Sequence, residues 1–199
     1  MSGSQALIYI INTLGQLYLL LVLLRFILQL VRADFYNPLS QFVVKATQPL
    51  LMPIRRIVPG FGGIDFAALV LALLVHMALS AAILLIAGAS SAELVTLLPL
   101  LAVWCLISLA SLFVKIFFFA LIISVILSWV AQGSRHPAVA LVHQVCEPVL
   151  APIRRFLPSM GGIDISPIFA FLALNLLDGF VIANLAQMAR MPVIISPFM

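Results

Sequence analysis

Charged side chains are scarce in this chain. Lys, Arg, Asp and Glu together make up 8% of its 199 residues, whereas apolar residues make up 65%. Soluble domains are roughly 25% charged and about 45–50% apolar. A soluble core of this size cannot bury so much apolar surface, so lipid must be the solvent for much of the chain. The composition therefore excludes an ordinary soluble protein and predicts an integral membrane protein.

Cysteine is scarce as well. The two cysteines, Cys105 and Cys146, have no CxxC partner and no histidine at a metal-ligand spacing, so we expect two unpaired thiols and no metal site. The chain also lacks a paired-carboxylate site, an HExxH motif, a Walker loop and a nucleophile elbow. We therefore expect a protein that is not an enzyme and that carries no cofactor.

The net charge is +4, and most of the positive charge lies in two short segments beside apolar runs. In a soluble protein such a charge could indicate nucleic-acid binding. Next to membrane spans it is typical of the positive-inside rule and of contact with phospholipid. The pattern therefore argues against nucleic acid as a partner.

Four apolar runs are long enough to cross a bilayer, which takes about 20 residues. They cover residues 6–31, 64–87, 106–130 and 163–188. A secretory signal begins with a positive segment, whereas the first 24 residues here carry no charge. We therefore expect the first run to be a retained membrane helix.

The two halves of the chain are a repeat at a fixed offset of 99 positions. Residues 53–56 and 152–155 both read PIRR, and residues 62–65 and 161–164 both read GGID. Agreement of this kind at one offset outranks other signals of fold. It predicts an all-α membrane protein of two tandem repeats, residues 1–93 and 94–199, each with two spans joined by a basic, proline-rich segment.

Residues 94–105 are left over before the third span, and we expect a helical extension or an interfacial helix there. A fifth span would place the two basic segments on opposite faces of the membrane. The charge distribution favours four spans, with both basic segments in the cytoplasm and both termini outside.

The repeated PIRR and GGID motifs, with conserved spacing and an upstream proline in each half, closely resemble those of the YggT (YlmG) family. The resemblance covers essentially the whole chain. It implies a multi-pass protein of the bacterial inner membrane, without an established biochemical activity. The family is associated with osmotic or ionic stress tolerance and cell division, and in plastids with cofactor attachment to cytochrome and with nucleoid organisation. One departure from symmetry is that Arg25 of the first repeat is matched by Ser124 in the second.

Each basic segment begins with a short amphipathic helix. Asn37 and Pro38 form a favourable helix start, and apolar residues then recur at helical spacing. The stripe consists of Leu39, Phe42, Val43 and Ala46 in the first repeat and of Ala138, Leu141, Val142 and Val145 in the second. Such helices lie at the membrane interface.

Prolines interrupt the helical pattern of both basic segments. We expect Pro49 and Pro148 to end the amphipathic helices, because an interior proline costs about 3 kcal/mol. Pro53 and Pro152 would then begin a second short turn that holds the arginines.

Paired arginines beside apolar residues suit lipid phosphates, since the guanidinium group binds phosphate through two parallel hydrogen bonds. The candidate residues for binding an anionic lipid or an acidic partner protein are Arg55, Arg56, Arg154, Arg155 and Lys45. The alternative is that these cations only fix the topology.

Asp65 and Asp164 stand at the start of the second and fourth spans. A carboxylate there can cap the helix and pair with an arginine of the same segment. A cation or proton site is the weaker alternative, because neither repeat has a second carboxylate nearby.

Ionisable groups inside spans are costly and are candidate functional residues. We expect Arg25 to reach the nearer membrane surface as an anchor. Lys115 and Asp178 lie at similar depth in adjacent spans of one repeat, so we expect them to form an ion pair.

Polar residues also match across the repeats, Gln16 with Lys115 and His76 with Asn175. If the repeats pack about a pseudo-two-fold axis, these groups could converge. They could then form a polar path for a proton or small ion or hydrogen bonds between helices. Transport would require a homo-oligomer, because four spans are few for a pathway.

The leading hypothesis is a membrane scaffold or assembly factor that uses the paired basic segments to bind anionic lipid or a protein partner. The alternative is a small ion channel or transporter-like component that uses the intramembrane polar residues.

Overall fold

The computed structural model describes residues 3–60, 62–131, 133–134, 136–157 and 164–195, and within these ranges it contains helices and no β-strand. The main helices are α1 Gly3–Leu30, α2 Pro38–Arg55, α3 Phe66–Ile86, α4 Ser91–Val130, α5 Pro137–Phe156 and α6 Ser166–Met188. A π-helical turn, Leu177–Ile182, lies inside α6, and a 3-10 turn, Val193–Ile195, follows it.

Helices α1, α3, α4 and α6 are long and apolar enough to cross a membrane. Helices α2 and α5 are amphipathic, and each connects two of these spans. Asn37 caps α2 by accepting a hydrogen bond from the Leu39 N–H at 3.0 Å, and His136 caps α5 in the same way through Nδ1. The structure confirms the predicted all-α fold with two repeats and four spans.

Helix α4 has 40 residues, which at about 1.5 Å per residue is roughly 60 Å. It begins at a capping box of Ser90 and Glu93 and runs without a break through Pro99, so residues 94–105 belong to the same helix as the third span. Trp104 Nε1 donates to the Ala189 carbonyl at 2.8 Å. This bond ties the N-terminal part of α4 to the segment that follows α6.

The prediction that Pro49 and Pro148 end the amphipathic helices is wrong, since α2 continues to Arg55 and α5 to Phe156. A proline removes one backbone N–H and crowds the carbonyl one turn earlier. In α2 side chains supply donors near this point: Arg25 donates to the Val44 carbonyl at 3.0 Å, and Thr47 Oγ1 donates to the Val43 carbonyl at 2.7 Å. These bonds hold the turn of α2 that precedes Pro49, and Lys45, whose carbonyl the proline leaves unpaired within the helix, lies on the exposed side.

Helix α4 is the most buried of the four spans, and α1, the first span of the other repeat, contacts it. Helix α3 packs against both, whereas α6 packs along α4 and α5. The core consists mainly of aliphatic side chains from α1, α3 and α4. Gly15 of α1 allows the close approach of α3, because a Cβ at this position would lie 2.5 Å from Leu79 Cδ1.

Replacing Gly15 by valine, the residue that the second repeat has at the matching position 114, should displace the Leu79 side chain and loosen the packing of α1 on α3. We expect a loss of about 1–3 kcal/mol, the usual cost of overpacking, and a lower midpoint of thermal unfolding in detergent. Adding Leu79→Ala to this variant should restore part of the loss, since the two positions share one contact. An unchanged midpoint in Gly15→Val would contradict the close packing.

Candidate functional site

The basic segments of the two repeats meet at the N-terminal ends of α2 and α5. Asn37 Nδ2 donates to the Pro137 carbonyl at 2.8 Å, and Gln144 of α5 accepts from the Asp34 N–H at 3.4 Å. The arginines stand at the other ends of the two helices, each roughly 25 Å along its own helix from this junction. We call α2 and α5, with the arginines at their ends, the basic platform.

The two arginines of each PIRR motif differ in their contacts. In the first repeat Arg55 forms an ion pair with Asp65, and in the second Arg154 forms an ion pair with Asp164 at 3.0 Å. The following residues, Arg56 and Arg155, are exposed and form no hydrogen bond or ion pair with any described residue. The first arginine therefore holds the aspartate ten residues later, and the second is left for an external anion.

Lys45 is the remaining predicted member of this set. It lies exposed in the middle of α2, between the junction and Arg55. Apolar side chains on the same helix are exposed too, among them Phe42 and Met52. Exposed apolar and cationic side chains on one helix are suited to the boundary between head groups and acyl chains.

Asp65 is the centre of a buried network in the first repeat. Its side chain is 1% exposed, and its Oδ1 accepts from the Ala68 N–H at 3.3 Å as the N-cap of α3. Both Arg25 of α1 and Arg55 of α2 face its Oδ2, Arg25 at 4.0 Å. One carboxylate thus joins three helices.

The expectation that Arg25 reaches the membrane surface as an anchor is wrong. Its side chain is 8% exposed and donates to Thr47 Oγ1 at 2.9 Å as well as to the Val44 carbonyl. The physical reason is that α2 folds back across α1 and brings hydrogen-bond acceptors to the guanidinium group. A buried arginine needs such partners, because an unpaired buried charge is very costly.

The loop before Asp65 makes this placement possible. Gly62 and Gly63 have φ angles of +63° and +85°, a left-handed conformation that L side chains rarely adopt. This turn brings the start of α3 beneath the C-terminal end of α2. The matching glycines of the second repeat, and residue 163 at the predicted start of the last span, lie outside the described residues.

In the second repeat the corresponding charged residues are exposed. Ser124 stands in place of Arg25 and Cys146 in place of Thr47, and the side chains of Arg154 and Asp164 are 43% and 46% exposed. Arg154 also pairs with Glu147 at 3.0 Å. Asp164 accepts from the Ser166 N–H at 2.9 Å, so it too stabilises the start of its span.

Partial burial acts to raise the pKa of the Asp164 carboxyl, but hydrogen bonds from Ser166 and Arg154 outweigh it and hold the pKa below its usual range. Burial raises the pKa of the Cys146 thiol to about 11. Asp164 is therefore ionised and Cys146 is neutral at physiological pH. A neutral, buried thiol is a poor nucleophile.

A polar pocket of about 80 Å³ lies between α1, α3 and α4. The structure brings Gln16, His76 and Lys115 together at its wall, with Asn12 and Ser108 beside them. Both ring nitrogens of His76 and the Ser108 hydroxyl are buried, and none of them has a hydrogen-bond partner among the described residues. A pocket of this size has room for a few water molecules, which would satisfy these groups.

Beside the pocket, a larger apolar groove of about 900 Å³ runs between α1 and α4, and residues of α2 and α5 form its base. The two spaces share Asn12, Gln16 and Lys115. Ile195, the last residue described, also lines the pocket. The pocket and the groove therefore adjoin at Asn12, Gln16 and Lys115.

Asn175 and Asp178 are not part of this pocket. Asp178 lies in the π-helical turn of α6 and accepts a hydrogen bond from Ser111 at 2.6 Å. The predicted ion pair between Lys115 and Asp178 is wrong, because Lys115 is turned from α4 toward α1 and α3, whereas Ser111, one turn earlier, faces α6. Asn175 is exposed on the outside of α6.

The family model of CCB3/YggT matches residues 4–86 and again residues 103–185, so it covers both repeats. The chain belongs to this family. No solved structure matches it.

Bacterial relatives extend over nearly the whole chain. An uncharacterized protein of Pseudomonas aeruginosa is 61% identical over 196 residues, 98% of each chain. The YggT protein of Escherichia coli K12 is 40% identical over 172 residues, 86% of this chain and 87% of its own. The chloroplastic YlmG homolog protein 2 of Arabidopsis thaliana is 33% identical over 86 residues, 43% of this chain and 34% of its own.

Sequence reasoning on this YggT family member missed Thr47, Ser111 and the junction at Asn37. One signal was available for the first: Arg25 and Thr47 are both replaced in the second repeat, by Ser124 and Cys146. A buried arginine needs an acceptor, so a hydroxyl that is lost together with the arginine was a candidate partner. No comparable signal marks Ser111, which is one serine among apolar residues.

Removing the Asp65 carboxylate should destabilise the protein far more than removing that of Asp164. Asp65→Ala leaves the buried Arg25 without its anion, and breaking a buried pair costs about 3–5 kcal/mol. Asp164→Ala breaks one exposed pair, worth about 1 kcal/mol or less, and one hydrogen bond from the Ser166 N–H. Unfolding in detergent, followed by circular dichroism, measures both, and equal losses would contradict the asymmetry of the two networks.

Proposed function

We propose that this protein is a non-enzymatic membrane scaffold or assembly factor whose basic platform binds anionic lipid head groups or an acidic partner protein. The observation that carries the proposal is the division of roles within each PIRR motif. Arg55 and Arg154 are held by aspartates of their own repeats. Arg56 and Arg155 remain exposed beside them, at the ends of two amphipathic helices.

The arrangement suits a flat anionic surface better than a single small anion. Helices α2 and α5 meet at the junction of Asn37 and Pro137, and Arg56 and Arg155 each stand at the far end of their own helix. Two separated cations on one face can each contact a different head group. Each Lys or Arg near an anionic membrane surface contributes about 1 kcal/mol.

The proposed setting is the bacterial inner membrane, with the basic platform in the cytoplasm and both termini on the other side. Support comes from the distribution of charge. The platform side carries Arg32, Lys45, Arg55, Arg56, Arg154 and Arg155, whereas the charged residues described at the opposite ends of the spans are Glu93 and Arg190. An excess of Lys and Arg in short loops favours the cytoplasmic side.

The cellular role that we propose is support of envelope or osmotic stress tolerance or of cell division. A rigid platform suits such a role, because the buried network of Asp65 fixes the angle between α2 and two spans. A protein partner would be recognised by an acidic patch that fits Arg56, Arg155 and Lys45.

Arg56→Gln and Arg155→Gln should each weaken retention of phosphatidylglycerol by about fivefold, the equivalent of 1 kcal/mol. Native mass spectrometry of protein released from mixed phosphatidylcholine and phosphatidylglycerol nanodiscs measures the retained lipid. Arg190→Gln is the matched control, since it removes the same charge on the opposite side. Equal retention in all three variants and in the parent chain would refute lipid binding by the platform.

A second candidate function, passage of a proton or small ion, is favoured by one observation. Gln16, His76 and Lys115 converge on a polar pocket inside the spans. The pocket volume of about 80 Å³ and the apolar lining residues Leu79, Ile83 and Ile195 argue against a wide pore. The scaffold remains the leading proposal for this reason.

Flux of potassium, sodium and protons in proteoliposomes separates the two functions. The scaffold proposal expects no flux above that of empty liposomes. The ion-passage alternative expects flux that is lost in Lys115→Met and kept in Asp178→Asn, because Asp178 lies outside the pocket. Flux with this pattern in folded variants would displace the scaffold proposal.

A further inference from the structure

Helix α6 is the most exposed of the four spans. Of its most apolar stretch 17% is buried, compared with 22% in α1 and α3 and 44% in α4. It touches α4 and α5 on one side, and its outer side faces the membrane. This outer side is apolar along most of its length, with Leu172, Leu176 and Phe180 exposed.

One polar side chain interrupts this apolar surface deep in the membrane. Asn175 lies nine residues after Ser166, which is roughly 14 Å along the helix. Its side chain is exposed and forms no hydrogen bond with any described residue. An amide exposed to hydrocarbon lacks the partners that water would supply, and this costs several kcal/mol.

Each of the other polar residues at this depth faces the polar pocket or has a hydrogen-bond partner within the chain. His76, which matches Asn175 in the first repeat, faces the polar pocket. Gln16 is exposed but donates to Asn12 at 3.2 Å, and Asp178 accepts from Ser111. Asn175 therefore differs from them, because the described part of the chain provides neither a cavity nor a partner for it.

The surface around Asn175 permits another helix to approach. Gly179 lies one turn further along, and a Cβ built there would meet nothing within 4 Å. Small residues let membrane helices pack closely, and asparagine side chains form hydrogen bonds across such interfaces. The π-helical turn Leu177–Ile182 makes this part of the helix wider. Gly179 lies in this turn and has no side chain, so the surface beside Asn175 stays open.

We propose that two copies of this protein pair through α6, with Asn175 of each copy bonded to Asn175 of the other across a two-fold axis. A carboxamide has both donors and an acceptor, so two of them related by such an axis satisfy each other. The isologous dimer is the commonest arrangement of homo-oligomers. The outer face of α6 around Asn175 is otherwise uncharged, which suits an identical face better than a charged partner.

Cysteine cross-linking in membranes tests the proposal. Leu172→Cys places a thiol one turn from Asn175, and Leu74→Cys is the matched control, since Leu74 is similarly exposed on α3. Both native cysteines are buried, so the parent chain measures the background. With copper phenanthroline we expect a cross-linked dimer from Leu172→Cys and none above background from Leu74→Cys.

Two further substitutions test the contacts at the proposed interface. In the Leu172→Cys chain, Asn175→Leu should lower dimer formation about threefold or more, since one interhelical hydrogen bond between membrane helices has this effect. Gly179→Ile should lower it as well by blocking close approach, since a Cβ at this position meets nothing within 4 Å inside the described chain. Thermal unfolding of each variant verifies that the monomer is folded.

Three outcomes would overturn the proposal. The first is equal cross-linking at residues 172 and 74, which indicates random collision. The second is a dimer unaffected by either change at the interface. The third is capture of a different protein at residue 172, which would assign this face to another partner.

Discussion

The Asp65 carboxylate is the constraint on which the first repeat depends. It caps α3, and the guanidinium groups of Arg25 from α1 and Arg55 from α2 face it. A buried carboxylate with these partners fixes three helices relative to one another, and its removal leaves a buried cation. The angle of α2 to the membrane spans follows from this cluster, and so does the exposure of Arg56, the residue next to Arg55.

The second repeat shows how the same motif behaves without the buried arginine. Ser124 and Cys146 replace the pair that holds α2 against α1, and the ion pairs of Arg154 lie at the surface. One repeat is thus a rigid support and the other an open copy. In a duplicated protein this division lets one half maintain the fold while the other half carries fewer buried constraints.

The fold could be predicted to a large extent because its signals are local. Apolar runs longer than 18 residues identify spans, and the repeat at 99 positions identifies two equivalent units. The site could be predicted only in part. The PIRR and GGID motifs pointed to Arg55, Arg154, Asp65 and Asp164. That Arg55 is engaged and Arg56 is exposed depends on how the loop turns at Gly62 and Gly63.

Sequence alone determined the membrane class, the two repeats, the four spans and the family resemblance, since composition and motif spacing need no knowledge of contacts. Tertiary structure decided which polar groups meet. Arg25 is buried because α2 folds over it, Asp178 faces Ser111 and not Lys115, and Asn175 points outward while its counterpart His76 points inward. The physical reason is that helix periodicity gives the depth of a residue in the membrane, whereas the direction of its side chain depends on the rotation and packing of whole helices.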